Sequence, residues 1–295
     1  MAEEEPFLID VPCCARPPTL KFARSDNPIW TENKARLIER YIHFFVYITK
    51  HGTYIDGFSG PQREGRDDLW AAKLVLEDRP TRIRHFFLFE KSPRKVKRLK
   101  ALKQAQLVRK KGECKRDIHI YPGDCNQNIL QMLKDYPIKD KEATFALLDQ
   151  RTFECDWATV IALANHKKAG HKIEIFYFLA QGWIDRSVKA KRKNKAADMR
   201  RWWGNDGWDA FFRLKREDRR EHFRKRFIDE LGYKHAYAFA IYDKKDGGKT
   251  MYWMIHATDH DEAPKLMNRA YRQALNLKGK AIQAELIPIE SAPAS

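Results

Sequence analysis

Short apolar runs, each closing on an acid or a glycine, alternate along residues 53–180 with longer segments whose apolar residues recur every three or four positions. "TYIDGF" (53–58), "HFFLFE" (85–90), "DIHIY" (117–121), "ATFALLD" (143–149) and "KIEIFYFLA" (172–180) read as strands. Between them, 68–78, a basic segment opened by Ser92 and Pro93, 123–136 and 156–168 read as helices; Ser92 and Pro93 stand in favoured N-cap and first-turn positions. An earlier helix begins at Thr31, its candidate cap, with Leu37, Ile38, Tyr41, Ile42, Phe45 and Ile48 at helical spacing. Strands that are apolar nearly throughout belong to a parallel sheet covered on both faces, so the alternation predicts an α/β fold.

The alternation breaks after residue 183. Residues 184–231 are basic, carry tryptophans and read as a helical insert too long for a minimal crossover. Beyond it, 235–243 and 250–258 read as strands joined by "KKDGGK", a hairpin signal, and 261–275 as a last helix. The predicted organisation is an irregular, proline-punctuated leader (1–28), one α/β domain made of 29–183 and 232–276, the basic aromatic insert (184–231) and a C-terminal tail (277–295).

Charge adds a partner to this picture. The formal net charge is +17 and is concentrated: 94–116 holds eleven Lys/Arg against one acid, and 186–226 sixteen against six. Two basic blocks on a near-neutral body read as a polyanion footprint, with a solvated helix face as the alternative. No apolar run approaches the roughly 20 residues that cross a bilayer, and the acidic start "MAEEEPFLIDVPCC" has no presequence character, so a cytoplasmic chain without membrane attachment is expected. The five cysteines, at 13, 14, 114, 125 and 155, form no CxxC pair and read as free thiols. His256, His260 and Asp261 read as capping or exposed groups, since the first lies in a strand and the second near a helix start; no metal is expected.

The candidate chemistry sits at the strand ends. In "TYIDGFSGPQREG" (53–65) a strand closes on Asp56 and turns through Gly57, Phe58, Ser59 and Gly60 with no phosphate-loop "GK[ST]", and glycine there lets backbone approach a ligand. Glu90 ends the second strand, where a carboxylate can accept both hydroxyls of a ribose. Asp124 follows the third strand and has a second reading as the cap of the next helix. Asp149 ends the fourth strand, ahead of Phe153; Cys155 lacks an activating context and reads as structural.

This order of elements, closed by an antiparallel hairpin, resembles class I S-adenosylmethionine-dependent methyltransferases. "YIDGFSGP", "LLDQRTFECDW" and "MYWMIHAT" more narrowly resemble the bacterial three-Cys-motif partner family. The resemblance implies a Rossmann-like seven-strand sheet, mostly parallel with a C-terminal antiparallel hairpin. It implies S-adenosylmethionine as cofactor, held by Asp56, Gly57, Phe58, Gly60, Glu90 and Asp124, and a target amine oriented by Asp149 with Phe153 stacked on the base. The narrow family's name implies a protein partner bearing three cysteines. Two departures stand out: Gln62 and Arg63 replace a common glycine, and Gln150, Arg151 and Thr152 follow Asp149 where the family run resembles D-P-Y-G.

In the insert, Lys191, Arg192, Lys193, Arg200 and Arg201 are candidate phosphate contacts and Trp202 a candidate base-stacking group, while Trp203, Phe211 and Phe212 read as core anchors. Methyl transfer to a nucleic acid, DNA or RNA, at a base amine is the activity these features imply. The rival is a non-catalytic protein of the same fold that binds nucleic acid or docks a partner, favoured by both departures. A metal-dependent phosphoryl-transfer enzyme lacks a carboxylate pair to hold its ions.

Overall fold

The computed structural model describes residues 33–79, 82–106, 115–189, 196–244 and 247–274. The predicted leader and tail, the Thr31 cap, three of the cysteines and Lys191, Arg192 and Lys193 lie outside them. Five strands alternate with helices: α1 (Lys34–Thr49), β1 (Gly52–Asp56), α2 (Ala71–Glu77), β2 (Ile83–Glu90), α3 (Pro93–Ala105), β3 (Asp117–Pro122), α4 (Cys125–Asp135), β4 (Thr144–Leu148), α5 (Trp157–Ala164) and β5 (Glu174–Leu179). Four helices follow, α6 (Gln181–Lys189), α7 (Ala196–Trp203), α8 (Trp208–Arg213) and α9 (Arg216–Asp229), then β6 (His235–Lys244), β7 (Gly247–Thr258) and α10 (Ala263–Ala274). The sheet has seven strands in the order β3-β2-β1-β4-β5-β7-β6, and β7 runs against the others. This is the Rossmann-like arrangement with a closing antiparallel hairpin.

The central strands are apolar over most of their length because their two faces bury different cores. Tyr54, Phe86, Leu88, Phe145, Leu147, Phe176 and Phe178 point to one face, with α1, α2, α3 and α10. Their neighbours Ile55, Phe87, Phe89, Ala146, Leu148, Ile175 and Tyr177 point to the other, with α4, α5 and α7–α9. The predicted helix over 68–78 is split into a short 3₁₀ turn (Asp67–Leu69) and α2. Pro93 holds the first turn of α3, although Ser92 makes no capping bond; Glu90 Oε1 accepts from Ser92 N–H instead, at 2.8 Å.

His256 is neither a cap nor exposed: it is fully buried in β7, with Nε2 2.9 Å from Glu174 Oε1. Tyr41 and Thr258 donate to the same carboxylate at 2.5 and 2.8 Å, tying α1 to the sheet. His260 does meet the expectation, since its Nδ1 accepts from Glu262 N–H at 3.1 Å. Cys125 and Cys155 are free and buried, and burial pushes the Cys155 thiol well up, which suits a structural role.

Candidate functional site

In an open α/β sheet ligands bind beyond the carboxyl ends of the strands, where the strand order reverses. Here that place lies between β1 and β4, and a cavity of about 1230 Å³ opens there. Ligand sites commonly measure roughly 300–1,000 Å³, so a nucleoside and part of a second molecule fit together.

The loop after β1 forms one wall. Gly57 N–H donates to Leu147 O and Ser59 N–H to Phe89 O, both at 2.9 Å, so the turn continues the sheet's bonding for three residues. Trp70 Nε1 donates to Ser59 O at 2.6 Å and closes the loop from behind. Gly57, Phe58 and Gly60 line the cavity; Asp56 does not, and lines instead a small adjoining void with Lys34 and Asp149. Its carboxylate is buried, accepting from Tyr54 OH at 2.9 Å and from Phe58 N–H at 3.0 Å. Burial pushes this carboxyl up to about 7, outweighing the two hydrogen bonds that favour its charge. Asp56 therefore shapes the loop from beneath and makes no wall of the cavity.

Glu90 and Asp124 do face it. The Glu90 side chain is 10% exposed and fits only because Gly60 has no side chain: a Cβ there would overlap Glu90 Oε2 and stand 2.6 Å from Lys95 Cδ. Gly123 follows with φ +119°, a conformation that favours glycine, its N–H donating to Glu90 O at 3.0 Å. Asp124 is the cap of α4, Oδ1 accepting from Asn126 N–H at 2.8 Å, and lines the cavity as well, so both of its readings hold.

Asp149 sits at the floor, with both oxygens engaged. Lys34 Nζ is 2.7 Å from Oδ1 and Gln62 Nε2 is 3.0 Å from Oδ2. Lys34 is itself buried, its ammonium 4.7 Å from the centre of the Phe178 ring and 4.9 Å from that of Tyr252. The altered run after Asp149 is ordered by its own side chains. Gln150 turns inward, its Oε1 accepting from Glu154 N–H and Cys155 N–H at 3.0 and 2.9 Å, while Glu154 Oε2 accepts from Arg151 N–H at 3.0 Å. Arg151 Nη2 reaches Gln62 O at 2.9 Å, joining this loop to the one after β1. Gln62 thus braces the floor and leaves the cavity open.

The outer wall comes from the α6–α8 region. Trp183, Met199, Arg201, Trp208, Phe212 and Arg213 line it, and Lys91 and Lys95, just before and at the start of the first basic block, line the same cavity. Of the three predicted core anchors, Trp203 and Phe211 are buried, whereas Phe212 is half-buried on the cavity wall. Trp202 corrects an expectation: it is fully buried, donating from Nε1 to Tyr177 OH at 2.7 Å and stacked on Phe223 at 5.6 Å, so no base reaches it. Phe153 lines the cavity with its ring packed against Trp202 at 4.7 Å. Arg200 and Arg201 are exposed, bonded at 2.7 Å to Asp206 and Asp198 respectively, and Arg201 alone of the two borders the cavity.

Of the predicted site residues, then, Gly57, Phe58, Gly60, Glu90, Asp124, Asp149, Phe153 and Arg201 come together on one cavity. Lys34, Gln62, Trp183 and Trp208 belong to the site as well. Trp208 could have been found as half of an i,i+4 aromatic pair with Phe212 in a basic segment; nothing local marks Lys34.

No protein-family model matches the chain, and no curated protein matches it in sequence. Among solved structures that match is the crystal structure of M. jannaschii TYW2 in complex with AdoMet, at 11% sequence identity over 74% of this chain and 74% of that chain, with a TM-score of 0.36.

Proposed function

We propose that this protein transfers a methyl group from S-adenosylmethionine to a nucleic acid, at a base amine. The observation that carries the reading is the convergence of Glu90, Asp124 and Asp149, acids after three different strands, on one cavity beside a glycine turn. S-adenosylmethionine, when bound, supplies an electrophilic methyl on a sulfonium, so alignment accounts for much of the acceleration. Glu90 would accept the ribose hydroxyls, in the space that Gly60 leaves. Asp124, held by its capping bond, would accept from the adenine amine, and Gly57 and Phe58, whose N–H groups are taken by Leu147 O and Asp56, would pack against the methionine end. Asp149 would accept from the target amine and direct its lone pair; an ionised carboxylate has about four acceptor sites, so its bonds to Lys34 and Gln62 leave capacity.

The charge pattern supports a nucleic-acid acceptor: Lys95 from the first basic block and Arg201 and Arg213 from the second line the cavity, with Lys91 just ahead of the first block. A bacterial cytoplasmic setting and a three-cysteine-motif partner protein belong to the same reading, on the strand-end runs; co-purification from a bacterial lysate tests the partner.

A second reading, a non-catalytic nucleic-acid-binding or partner-docking protein, is favoured by the double engagement of Asp149 and the inward turn of Gln150. Calorimetric titration with S-adenosylmethionine, followed by tritiated-methyl transfer to separate pools of DNA, RNA and protein, decides between them. Heat of binding and label in one nucleic-acid pool are expected. No heat at millimolar cofactor would leave the second reading, and label confined to protein would overturn the acceptor.

A further inference from the structure

The helical region after β5 divides its aromatic residues between two tasks. Trp202, Trp203, Phe211 and Phe223 are buried and stack on one another, which gives the α7–α9 unit a complete core. Trp208 and Phe212 pack against its edge and stay only partly covered by it. They lie four residues apart on α8, so they share a helix face, and that face borders the cavity. Both are half-buried and line the cavity, with ring centroids 6.0 Å apart at 76°, an edge-to-face pair. Trp183, from α6, adds a third half-buried ring to the same wall, with the Arg186 guanidinium 4.7 Å from its centre over one face.

We infer that Trp183, Trp208 and Phe212 form a stacking subsite for an unpaired nucleobase, so that the cavity takes single-stranded or locally opened nucleic acid in preference to continuous duplex. The inference rests on the nucleic-acid part of the reading above and not on methyl transfer. A base inside a duplex presents its edges and hides its faces; only an unstacked base offers a π face to these rings. Phosphates on either side of that base would meet Arg201 and Arg213, whose side chains are 61% and 78% exposed. Their nearest partners, Asp198 and Asp209 on the same helices, are held by exposed pairs that contribute little and exchange for phosphate, while Asp156, 3.7 Å from Arg201, holds that guanidinium beside the cavity.

The test uses the full chain and labelled strands of about 12 nucleotides, within the span such sites cover: single-stranded DNA, single-stranded RNA and the duplex, read by fluorescence anisotropy without cofactor. At least one single strand should bind about tenfold or more tightly than the duplex, the DNA and RNA arms telling which sugar is taken. Trp208→Leu and Phe212→Leu should each weaken that strand about tenfold, and Trp208→Phe should recover most of the loss. Photocrosslinking of wild-type protein to an iodouracil-substituted strand should place the adduct on the peptide carrying Trp183 or that carrying Trp208, which decides the matter even where a variant fails to fold. Equal binding of duplex, binding of no strand, binding of peptides instead, folded variants of unchanged affinity, or an adduct elsewhere would each overturn the subsite. A chain that binds the strand but no S-adenosylmethionine refutes methyl transfer alone; the converse refutes the subsite alone.

Discussion

Lys34, in the first turn of α1, places its ammonium 2.7 Å from the Asp149 carboxylate at the end of β4, 115 residues away. Both side chains are nearly excluded from water, at 8% and 6% exposure. A buried pair of this kind is weak evidence for stability but a strong constraint on geometry, because either charge alone is costly. It fixes the carboxylate at the floor of the cavity while Gln62 holds its second oxygen.

Removal of the lysine charge should therefore hurt more than removal of both charges. Lys34→Met is expected to lower unfolding free energy by about 3–5 kcal/mol, and Lys34→Met with Asp149→Asn to recover most of that loss. Denaturant unfolding of the four proteins of this cycle measures it; additive effects would mean the pair is not coupled. In a separate variant, Asp149→Ala should abolish methyl transfer while S-adenosylmethionine affinity stays within a few-fold, and retained transfer would remove Asp149 from the chemistry.

Gly60 offers a way to displace Glu90 without touching its charge. A methyl at this position meets the far ends of Glu90 and Lys95, which can swing aside, and the glycine does not have a positive φ. Gly60→Ala should cost less than about 1 kcal/mol in stability, yet lower S-adenosylmethionine affinity about tenfold or more by evicting the carboxylate from the ribose position. Undiminished binding by calorimetry would show that Glu90 does not contact the cofactor.

These two residues also mark what the sequence could reveal. Glu90 and Asp124 are legible because an acid closing an apolar strand stands where a parallel sheet collects ligands, and the sheet itself is legible because strands such as Phe86–Phe89 must satisfy two cores at once. Lys34 is not legible, since its spacing matches any lysine on a helix and its partner is set by how α1 crosses the sheet. Trp202 misleads for a related reason: a tryptophan in a basic segment reads as a stacking group unless its N–H has a buried acceptor, and Tyr177 OH supplies one from β5. Asp56 was legible as a strand-end acid. Its inward direction depends on Tyr54, two residues earlier on the same face, whose hydroxyl reaches back to it.

That inward placement makes Asp56 a source of pH dependence. Burial disfavours its charge and pushes the carboxyl up from an ordinary 3.8 to about 7 in the folded protein. Between pH 4 and 7 the native state holds a proton that the unfolded state has released, so stability falls as pH rises through this window and the full cost is present above it. Asparagine mimics the protonated acid: its carbonyl can accept from Phe58 N–H and its amide can donate to Tyr54 OH. Asp56→Asn should match wild type at pH 4 and exceed it at pH 8 by up to about 4 kcal/mol. Denaturant unfolding across that range gives the difference, and a difference independent of pH would show that Asp56 is ionised throughout.

The wall that carries the aromatic subsite depends in turn on Arg226. Its guanidinium carbon lies 3.8 Å from the Trp157 ring centre and 4.0 Å from that of Trp203, clamped between α5 and α7. Nε and Nη2 donate to Glu230 at 2.6 and 2.8 Å, and Trp157 Nε1 donates to the same carboxylate at 2.9 Å. A planar cation with a two-pronged donor face fits this slot; a lysine ammonium keeps the charge but loses the stacking plane and the paired bonds. Arg226→Lys should therefore destabilise the protein by about 1–2 kcal/mol despite its conserved charge. Because α7 leads directly into α8, the loosening should reach Trp208 and Phe212 first. Hydrogen exchange should speed up in 196–213 before it does in β1–β5, and equal acceleration everywhere would mean that Arg226 supports the whole fold and not this wall.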